Sequence, residues 1–334
     1  MADTQSIFID MHGACLRAFS TDAGWIANLA QGYRWFVCED DGRDAFTLSI
    51  EVTDHPAPSR EVPRTWSGDL MEGGAAHIHE DERTWLLDVV GLGHVEIDFE
   101  ARTADMQVRP GAFERFRFTP LSAVIEATLA TQGQRLVHGA CLGLPDGRSN
   151  ILICAPSGFG KTTTTLVLVQ SGFAFYADDA SVVMPLESGW RAWGVPNEMK
   201  IHRDTAALLP WIGDLPETWN HEGEQAVHTD NFTDKFEVVK RPPRPLAAIV
   251  LLGQRTGAGH SLEAISRSDA LIRIVRDNVS NSPTGVKPWN QSQFMLYSQM
   301  VRDTPTFELR VGTDLTTLAE TLERALSERA VAAQ

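Results

Sequence analysis

Residues 154–165 read CAPSGFGKTTTT, and they directly follow the apolar run NILI at 150–153. An apolar run of this kind predicts a buried strand. The glycines after it predict a turn, and residues 162–171 have the composition of a helix that ends at Gly172. A strand, a glycine-rich turn and a helix in this order are typical of a phosphate-binding loop in an α/β domain.

The residues of this turn have the chemistry that a bound phosphate requires. Gly158 and Gly160 permit backbone angles forbidden to other residues, and the amides at the start of the helix attract anions. Lys161 is expected to reach the β- and γ-phosphates of a nucleotide, and the Thr162 hydroxyl is expected to bind Mg²⁺. The predicted nucleotide-binding segment consists of Ser157, Gly158, Phe159, Gly160, Lys161, Thr162 and Thr163.

One position departs from the usual G-x-x-x-x-G-K-[ST] pattern, because Ala155 stands where the first glycine is expected. The substitution costs little if the backbone of Ala155 has ordinary strand-like angles. The alternative to a nucleotide site is a glycine-rich turn between a strand and a helix, with a solvated lysine.

Two adjacent carboxylates, Asp178 and Asp179, follow a second buried-strand pattern at residues 173–177. Ligands of open α/β sheets bind at the carboxyl ends of the strands, so we expect the pair to lie near the loop, on a strand that neighbours residues 150–154. Consecutive residues of an extended chain point to opposite sides, which suits one carboxylate for a metal and the other for a phosphate acceptor. The alternative is a surface turn in an acidic protein.

His138 belongs to the strand predicted at 135–144, before the loop. From its spacing alone, it lies either near the transferred phosphate or in an ordinary half-buried position.

The order of elements predicts the organisation of the chain. The first hundred residues contain short strand patterns separated by turns. From about residue 130 strands alternate with helices, which indicates an α/β domain. We therefore predict a β-rich α+β domain at 1–118 and an α/β catalytic domain at 119–334. Helices are predicted at 119–132, 162–171, 268–277, 289–302 and 314–328, and strands at 33–39, 46–52, 173–177, 181–186, 246–252 and 306–311.

Composition limits the possible partners of the 334-residue chain. It has 29 Lys and Arg residues against 44 Asp and Glu residues, a net charge of -15, which disfavours nucleic acid as a partner. No apolar run is long enough to span a bilayer, and the first residues do not resemble a signal peptide. The four cysteines show no metal-binding or disulfide spacing. We expect a cytoplasmic protein with no membrane partner.

Residues 135–179, which contain His138-Gly139, the loop and the Asp178-Asp179 pair, resemble the catalytic core of HPr kinase/phosphorylase. A related phosphate loop occurs in phosphoenolpyruvate carboxykinases. The resemblance implies a P-loop kinase fold that uses ATP and Mg²⁺. It implies that Lys161 and Thr162 bind phosphate and Mg²⁺, that Asp178 is the base for the acceptor hydroxyl, that Asp179 lies beside the metal, and that His138 lies close to the γ-phosphate. It also implies that the chain forms homo-oligomers.

The chain departs from HPr kinase proper in two places. The glycine-rich signature that contacts the protein substrate is absent after the Asp pair, and residues 1–118 are unlike the usual regulatory domain. HPr is therefore not the expected substrate, and the resemblance favours a Ser or Thr hydroxyl of another peptide or small protein. Lys200 and Lys235 are candidates for contacts with phosphate or substrate, although lysines on surface loops are commonly only solvated.

Two other functions fit the same residues. The chain could phosphorylate a free metabolite such as an amino acid or a sugar. Alternatively, it could bind a nucleotide without catalysis and act as a regulator through its β-rich segment.

Overall fold

The computed structural model describes residues 4–59, 61–70, 73–187, 189–257, 259–278 and 287–332, with only the backbone at 287–290 and 329–332. The fold is mixed α/β with several sheets. The chain divides into two compact units, one comprising Met1–Arg135 and Ser282–Gln293, the other Leu136–Asn281 and Phe294–Gln334. Within the described residues, none of the helices has the length and apolar character needed to cross a membrane.

The first unit is built on a sheet of nine strands in the order β3-β1-β2-β4-β9-β8-β7-β6-β5. The pairs β2–β4 and β4–β9 are parallel, and the other neighbours are antiparallel. Its elements are β1 Gln5–Met11, β2 Ala14–Ser20, α1 Ala23–Gly32, β3 Val37–Cys38, β4 Phe46–Val52, β5 Arg64–Asp69, β6 Ala75–Glu80, β7 Thr84–Val89, β8 Gly93–Asp98, β9 Thr103–Val108, α2 Phe113–Phe116 and α3 Thr119–Ala130.

Strand β4 shows why these residues form a sheet with one face in the core. Phe46, Leu48 and Ile50 are buried, whereas Ser49 and Glu51, at alternate positions, are exposed. This alternation follows from the two-residue period of a strand. The apolar side chains of the strand therefore lie on a single face.

The boundary between the units differs from the predicted domains 1–118 and 119–334. Helix α3 contacts strands β2, β4 and β8 of the first sheet and buries Val124 and Leu129. Because this packing ties α3 to the first sheet, the first unit continues to Arg135.

The second unit contains two sheets. The first has strands in the order β10-β14-β15-β18-β12-β11-β13, and β20 also pairs with β18 and carries β19 on its other side. The second sheet consists of β16 and β17. The remaining strands are β10 Arg135–His138, β11 Ala140–Gly143, β12 Asn150–Cys154, β13 Ala174–Ala177, β14 Ala180–Leu186, β15 Gly189–Gly194, β16 Glu198–His202, β17 Glu224–His228, β18 Arg244–Leu252, β19 Ser261–Ala264 and β20 Thr306–Arg310. The remaining helices are α4 Lys161–Gln170, α5 Arg203–Leu208, α6 Arg267–Asn278, α7 Lys287–Asp303 and α8 Leu318–Ala332.

Two parallel strands at the centre of this sheet explain its apolar runs. Strand β12 pairs with β18 in parallel, with Cys154 opposite Leu251. All five residues of β12 are buried. Parallel strands covered on both faces have continuous apolar sequences rather than alternating ones, as at 150–154 and 246–252.

The expected direct pairing of residues 173–177 with residues 150–154 is wrong. Strand β11 lies between β12 and β13 and is antiparallel to both. Two antiparallel steps restore the original direction, so β12 and β13 still end at the same edge of the sheet. The Asp pair therefore reaches the loop across an intervening strand.

Most predicted elements are confirmed, with shifts of a few residues at their ends, but two predictions are wrong. The strand predicted at 135–144 is interrupted at Gly139 into β10 and β11, which occupy different places in the sheet. The segment 33–39 is mainly not a strand. Only Val37–Cys38 pairs there, and it is preceded by the unpredicted helix α1. Asp22 caps this helix by accepting a hydrogen bond from the amide of Gly24 at 2.8 Å. The cap is the local signal that marks the start of α1.

Candidate active site

The loop that joins β12 to α4 is left-handed at two glycines. Gly158 has φ 82° and Gly160 has φ 87°, angles that other residues rarely adopt. Gly160 is the N-cap of α4 and supplies no side chain to bond the amides of the first turn. Those amides are available to an anion, and the helix dipole favours one there.

Ala155 does not weaken this loop. It is buried at the end of β12, with 1% of its surface exposed. Its φ is not positive, since the non-glycine residues with positive φ in the described chain are His12 and Arg102. A glycine is therefore not required at this position.

Lys161 connects the loop to the Asp pair. Its Nζ donates to the backbone oxygen of Asp178 at 2.6 Å and to Oδ1 of Asp179 at 2.5 Å. Only 11% of the Lys161 side chain is exposed. The lysine is thus held at the edge of the sheet where both strands end.

Thr162 contacts the other member of the pair. Its hydroxyl donates to Oδ2 of Asp178 at 2.6 Å. Asp178 is only 2% exposed, and its second oxygen, Oδ1, makes no hydrogen bond of ordinary geometry among the described residues. The buried hydroxyl of Thr165 lies close enough to lower the pKa of Asp178 and is the nearest protein donor available to it. A buried carboxylate oxygen without a well-formed hydrogen bond is costly unless a proton or a cation satisfies it.

Asp179 is more accessible than Asp178. Its side chain is 41% exposed and lies 3.4 Å from Nε2 of His138. The backbone supports this contact: the amide of Gly139 donates to the oxygen of Asp179 at 3.1 Å, and the amide of His138 donates to Oδ1 of Asn278 at 2.6 Å. The structure therefore brings His138, Lys161 and Asp179 together.

Burial and charge act in opposite directions on the ionisable groups of this cluster. Burial lowers the pKa of Lys161, but Asp178 and Asp179 outweigh it and raise the pKa above its ordinary value. Burial raises the pKa of Asp178 more than Lys161 and Thr162 lower it. Burial also acts to raise the pKa of Asp179, but the charges of Lys161 and His138 leave it below its ordinary value. Lys161 therefore stays charged, and Asp179 is the more readily ionised carboxylate.

The remaining residues of the predicted loop differ in what they offer. Ser157 and Phe159 are exposed. The Thr163 hydroxyl contacts the Thr205 hydroxyl at 2.8 Å, a contact between α4 and α5. For this reason we expect Thr163 to contribute its backbone amide rather than its hydroxyl.

The two candidate substrate lysines lie in different surroundings. Lys200 is exposed on β16, and its charge is a small contribution to the lowered pKa of Asp179, so it lies within electrostatic range of the cluster. Lys235 pairs with Asp234 at 3.0 Å and packs near Gly213. In the described part of the chain, no hydrogen bond or ion pair joins Lys235 to the loop.

Arg255 is a residue beside the loop that the sequence analysis did not select. It follows β18 and is exposed. A Cβ placed on Gly160 would lie 3.0 Å from the terminal nitrogen Nη2 of Arg255. The available signal was an arginine shortly after the predicted strand 246–252, at the edge where ligands bind.

The protein donors present do not make a complete metal site by themselves. Among the described residues, no group of three or more His, Cys, Asp or Glu side chains is arranged to hold a metal ion. The hydroxyl of Thr162 and the second carboxylate oxygen of Asp178 are oxygen donors of the kind Mg²⁺ prefers, and Mg²⁺ in nucleotide sites takes its other ligands from phosphates and water. The residues therefore fit a metal that arrives with a nucleotide.

Among known proteins, no family model and no curated protein matches the chain. The resemblance of residues 135–179 to HPr kinases accordingly remains a prediction. The geometry of His138, Lys161 and Asp179 is the main indication of function.

Proposed function

We propose that the chain is a Mg²⁺-dependent kinase that transfers the terminal phosphoryl group of ATP to the Ser or Thr hydroxyl of a peptide or small protein. The observation that carries this proposal is a double pairing: Lys161 with Asp179 and Thr162 with Asp178. A lysine and a hydroxyl of a phosphate loop, each beside a carboxylate, are the groups that phosphoryl transfer requires.

The loop would hold the phosphates of ATP. The amides of the first turn of α4 and the ammonium of Lys161 would neutralise their charge. Mg²⁺, when bound, would draw charge away from the terminal phosphates. Thr162 and Asp178 would hold it, because they supply a hydroxyl and a buried carboxylate that already lie together.

The acceptor hydroxyl would meet Asp179. The choice between the two carboxylates depends first on access and only then on pKa, because a base must reach the proton that it removes. Asp178 is only 2% exposed, whereas 41% of the Asp179 side chain is exposed. This proposal reverses the division implied by the resemblance, in which Asp178 was the base and Asp179 lay beside the metal.

His138 would orient the base. It lies 3.4 Å from Asp179 and its side chain is 44% exposed. Lys200, whose charge acts on Asp179, would attract the phosphate or the acceptor. We place the reaction in the cytoplasm, where ATP is abundant, and propose an HPr-kinase-like fold that forms homo-oligomers.

Transfer of labelled phosphate from γ-labelled ATP to a library of Ser- and Thr-containing peptides tests the proposal. Asp179→Asn should lower the rate of transfer by about two orders of magnitude or more and leave ATP binding intact. Asp146→Asn, in an exposed turn of the same unit, is the matched control and should transfer normally. A wild-type rate in Asp179→Asn would exclude this carboxylate as the base, and labelling of metabolites alone would exclude the peptide acceptor.

A further inference from the structure

Strand β18 delivers a second segment to the edge where the loop lies. The parallel register pairs Cys154, the last residue of β12, with Leu251, the penultimate residue of β18. The two chains therefore leave the sheet side by side and in the same direction. One forms the loop 155–160, and the other forms the segment Gly253-Gln254-Arg255.

The side chain of Arg255 crosses from this segment to the loop. The atom nearest to a Cβ built on Gly160 is Nη2 of Arg255, at 3.0 Å. The guanidinium therefore lies against the N-cap of α4, beside the amides that Gly160 leaves without a side-chain cap.

The charge of Arg255 has no carboxylate partner among the described residues, although the chain carries 44 acids against 29 bases. A nearby acid is already occupied. Glu308 packs against Gly253, but it is held by Arg273 at 2.9 Å and by Arg310 at 2.8 Å. In an acidic protein, an arginine left without a partner points to a partner that comes from outside.

The surroundings of Arg255 make an anion the natural partner. The N-terminus of a helix carries partial positive charge, so a cation beside it is unfavourable unless an anion lies between them. At the same edge of the sheet, the buried oxygen Oδ1 of Asp178 makes no hydrogen bond of ordinary geometry among the described residues, which favours a cation of the kind that arrives with an anionic ligand such as a nucleotide. Arg255 and the helix end would share the same anion.

We propose that Arg255 binds the phosphate groups of the nucleotide held by the loop. This inference rests on the proposed function. A guanidinium presents five donors in a planar fork, and bidentate contact with phosphate oxygens is its characteristic use. Arg255 and Lys161 would then both contact the phosphates, the first as a rigid fork and the second as a point charge.

Binding of Mg²⁺–ATP, measured by calorimetry, tests the contact. Arg255→Ala should weaken ATP binding about tenfold or more. Arg148→Ala is the matched control, because Arg148 is an exposed arginine of the same unit in the turn before β12, at the opposite edge of the sheet; it should bind ATP like the wild type. Arg255→Gln, which keeps a polar side chain but removes the charge and the guanidinium fork, serves as a second variant if the alanine variant fails to fold, and the same loss of affinity is expected.

Thermal unfolding separates a ligand contact from a structural role. Without nucleotide, the Arg255 variants should melt at or slightly above the wild-type temperature, because an unfavourable cation has been removed. With ATP, they should lose most of the ligand-induced rise. Wild-type ATP affinity in both Arg255 variants overturns the inference.

Two other samples, Lys161→Ala and the wild-type protein, test the proposed function separately from this inference. If Lys161→Ala loses ATP binding while the Arg255 variants keep it, the inference fails and the proposed function stands. If the wild-type protein binds no ATP, both fail together.

Discussion

At the scale of single residues, Asp178 is the most constrained group of the site. One of its oxygens accepts a hydrogen bond from the Thr162 hydroxyl, and the other is buried and makes no hydrogen bond of ordinary geometry in the described part of the chain. A buried carboxylate in this state is unfavourable in the protein alone. A ligand that supplies positive charge would relieve it, which is why we assign this carboxylate to the metal.

Replacing this carboxylate should separate its role from that of Asp179. Asp178→Asn keeps the shape of the side chain but removes the charge that would attract Mg²⁺. We expect the dependence of ATP affinity on Mg²⁺ to be lost, as measured by titrating ATP with Mg²⁺ and with a chelator. If the variant retains the full effect of Mg²⁺, Asp178 does not hold the metal.

A second acid, Glu126 in α3, should make the stability of the fold depend on pH. Burial raises the pKa of Glu126 to about 7, against the charge of Arg135 and a hydrogen bond from Gln293. This pKa lies above the ordinary value of 4.5, so the fold loses stability as pH rises from about 4.5 through 7. Above pH 7, ionisation of Glu126 lowers the free energy of unfolding by up to about 3 kcal/mol.

The substitution Glu126→Gln removes this cost. Its melting temperature should exceed that of the wild type clearly at pH 8 and only slightly at pH 5, as followed by circular dichroism. Glu82→Gln, in an exposed turn of the same unit, should show no such pH-dependent gain. An equal gain at both pH values would show that ionisation of Glu126 is not the cause.

At this scale, the residues of the site could be predicted from the sequence more fully than the contacts that they make with one another. The loop glycines, Lys161, Thr162 and the Asp pair could be selected because their chemistry is tied to a local pattern. The pairing of Thr162 with Asp178 could not be selected, since it depends on which side of the chain each carboxylate faces after β13. Arg255 was missed because its approach to Gly160 depends on the parallel register of two distant strands.

At the scale of elements, the connection from β12 to α4 requires a glycine at position 160 for two reasons. Gly160 must be left-handed, and it must leave room for the guanidinium of Arg255. The apolar runs of β12 and β18 identify them as buried strands. The insertion of β11 between β12 and β13 was not predictable from those runs, because a short hairpin and a crossover carry similar patterns.

Two glycine substitutions should distinguish these demands. Gly160→Ala and Gly147→Ala both place a Cβ on left-handed backbone, at φ 87° and 69°, and each should lower the free energy of unfolding by about 1–2 kcal/mol in urea titrations. Nothing lies within 4 Å of the added Cβ at Gly147, whereas Arg255 lies 3.0 Å from that at Gly160. Only Gly160→Ala should weaken ATP binding, and equal loss in both variants would contradict this assignment.

At the scale of the whole molecule, the net charge of -15 makes the loop a local exception. An acidic surface repels free nucleotides, so binding depends on amides and a few cations close to the phosphates. Composition predicted this general character, and the order of elements predicted the mixed α/β fold. The unit boundary at Arg135 was not predicted, because it depends on the sheet that α3 covers.

Hydrogen exchange should show where a nucleotide acts on the molecule. Addition of Mg²⁺–ATP should slow exchange at the amides of residues 157–163 and 253–256, because both segments would contact phosphate. The strands of the first unit should exchange as before. Slowing spread evenly over both units would indicate a general stabilisation instead of a local contact.

The hairpin between β11 and β12 gives the molecule a place where it can be engineered. Strand β11 starts beside His138-Gly139 and runs away from the loop, so the turn that follows it lies at the far edge of the sheet. Its tip, Asp146-Gly147-Arg148, is exposed. Exposed tips of this kind are preferred points for inserting a tag or for opening a chain into a circular permutant. A fluorophore or an affinity handle placed there would report on or capture the protein while the phosphate loop stays free.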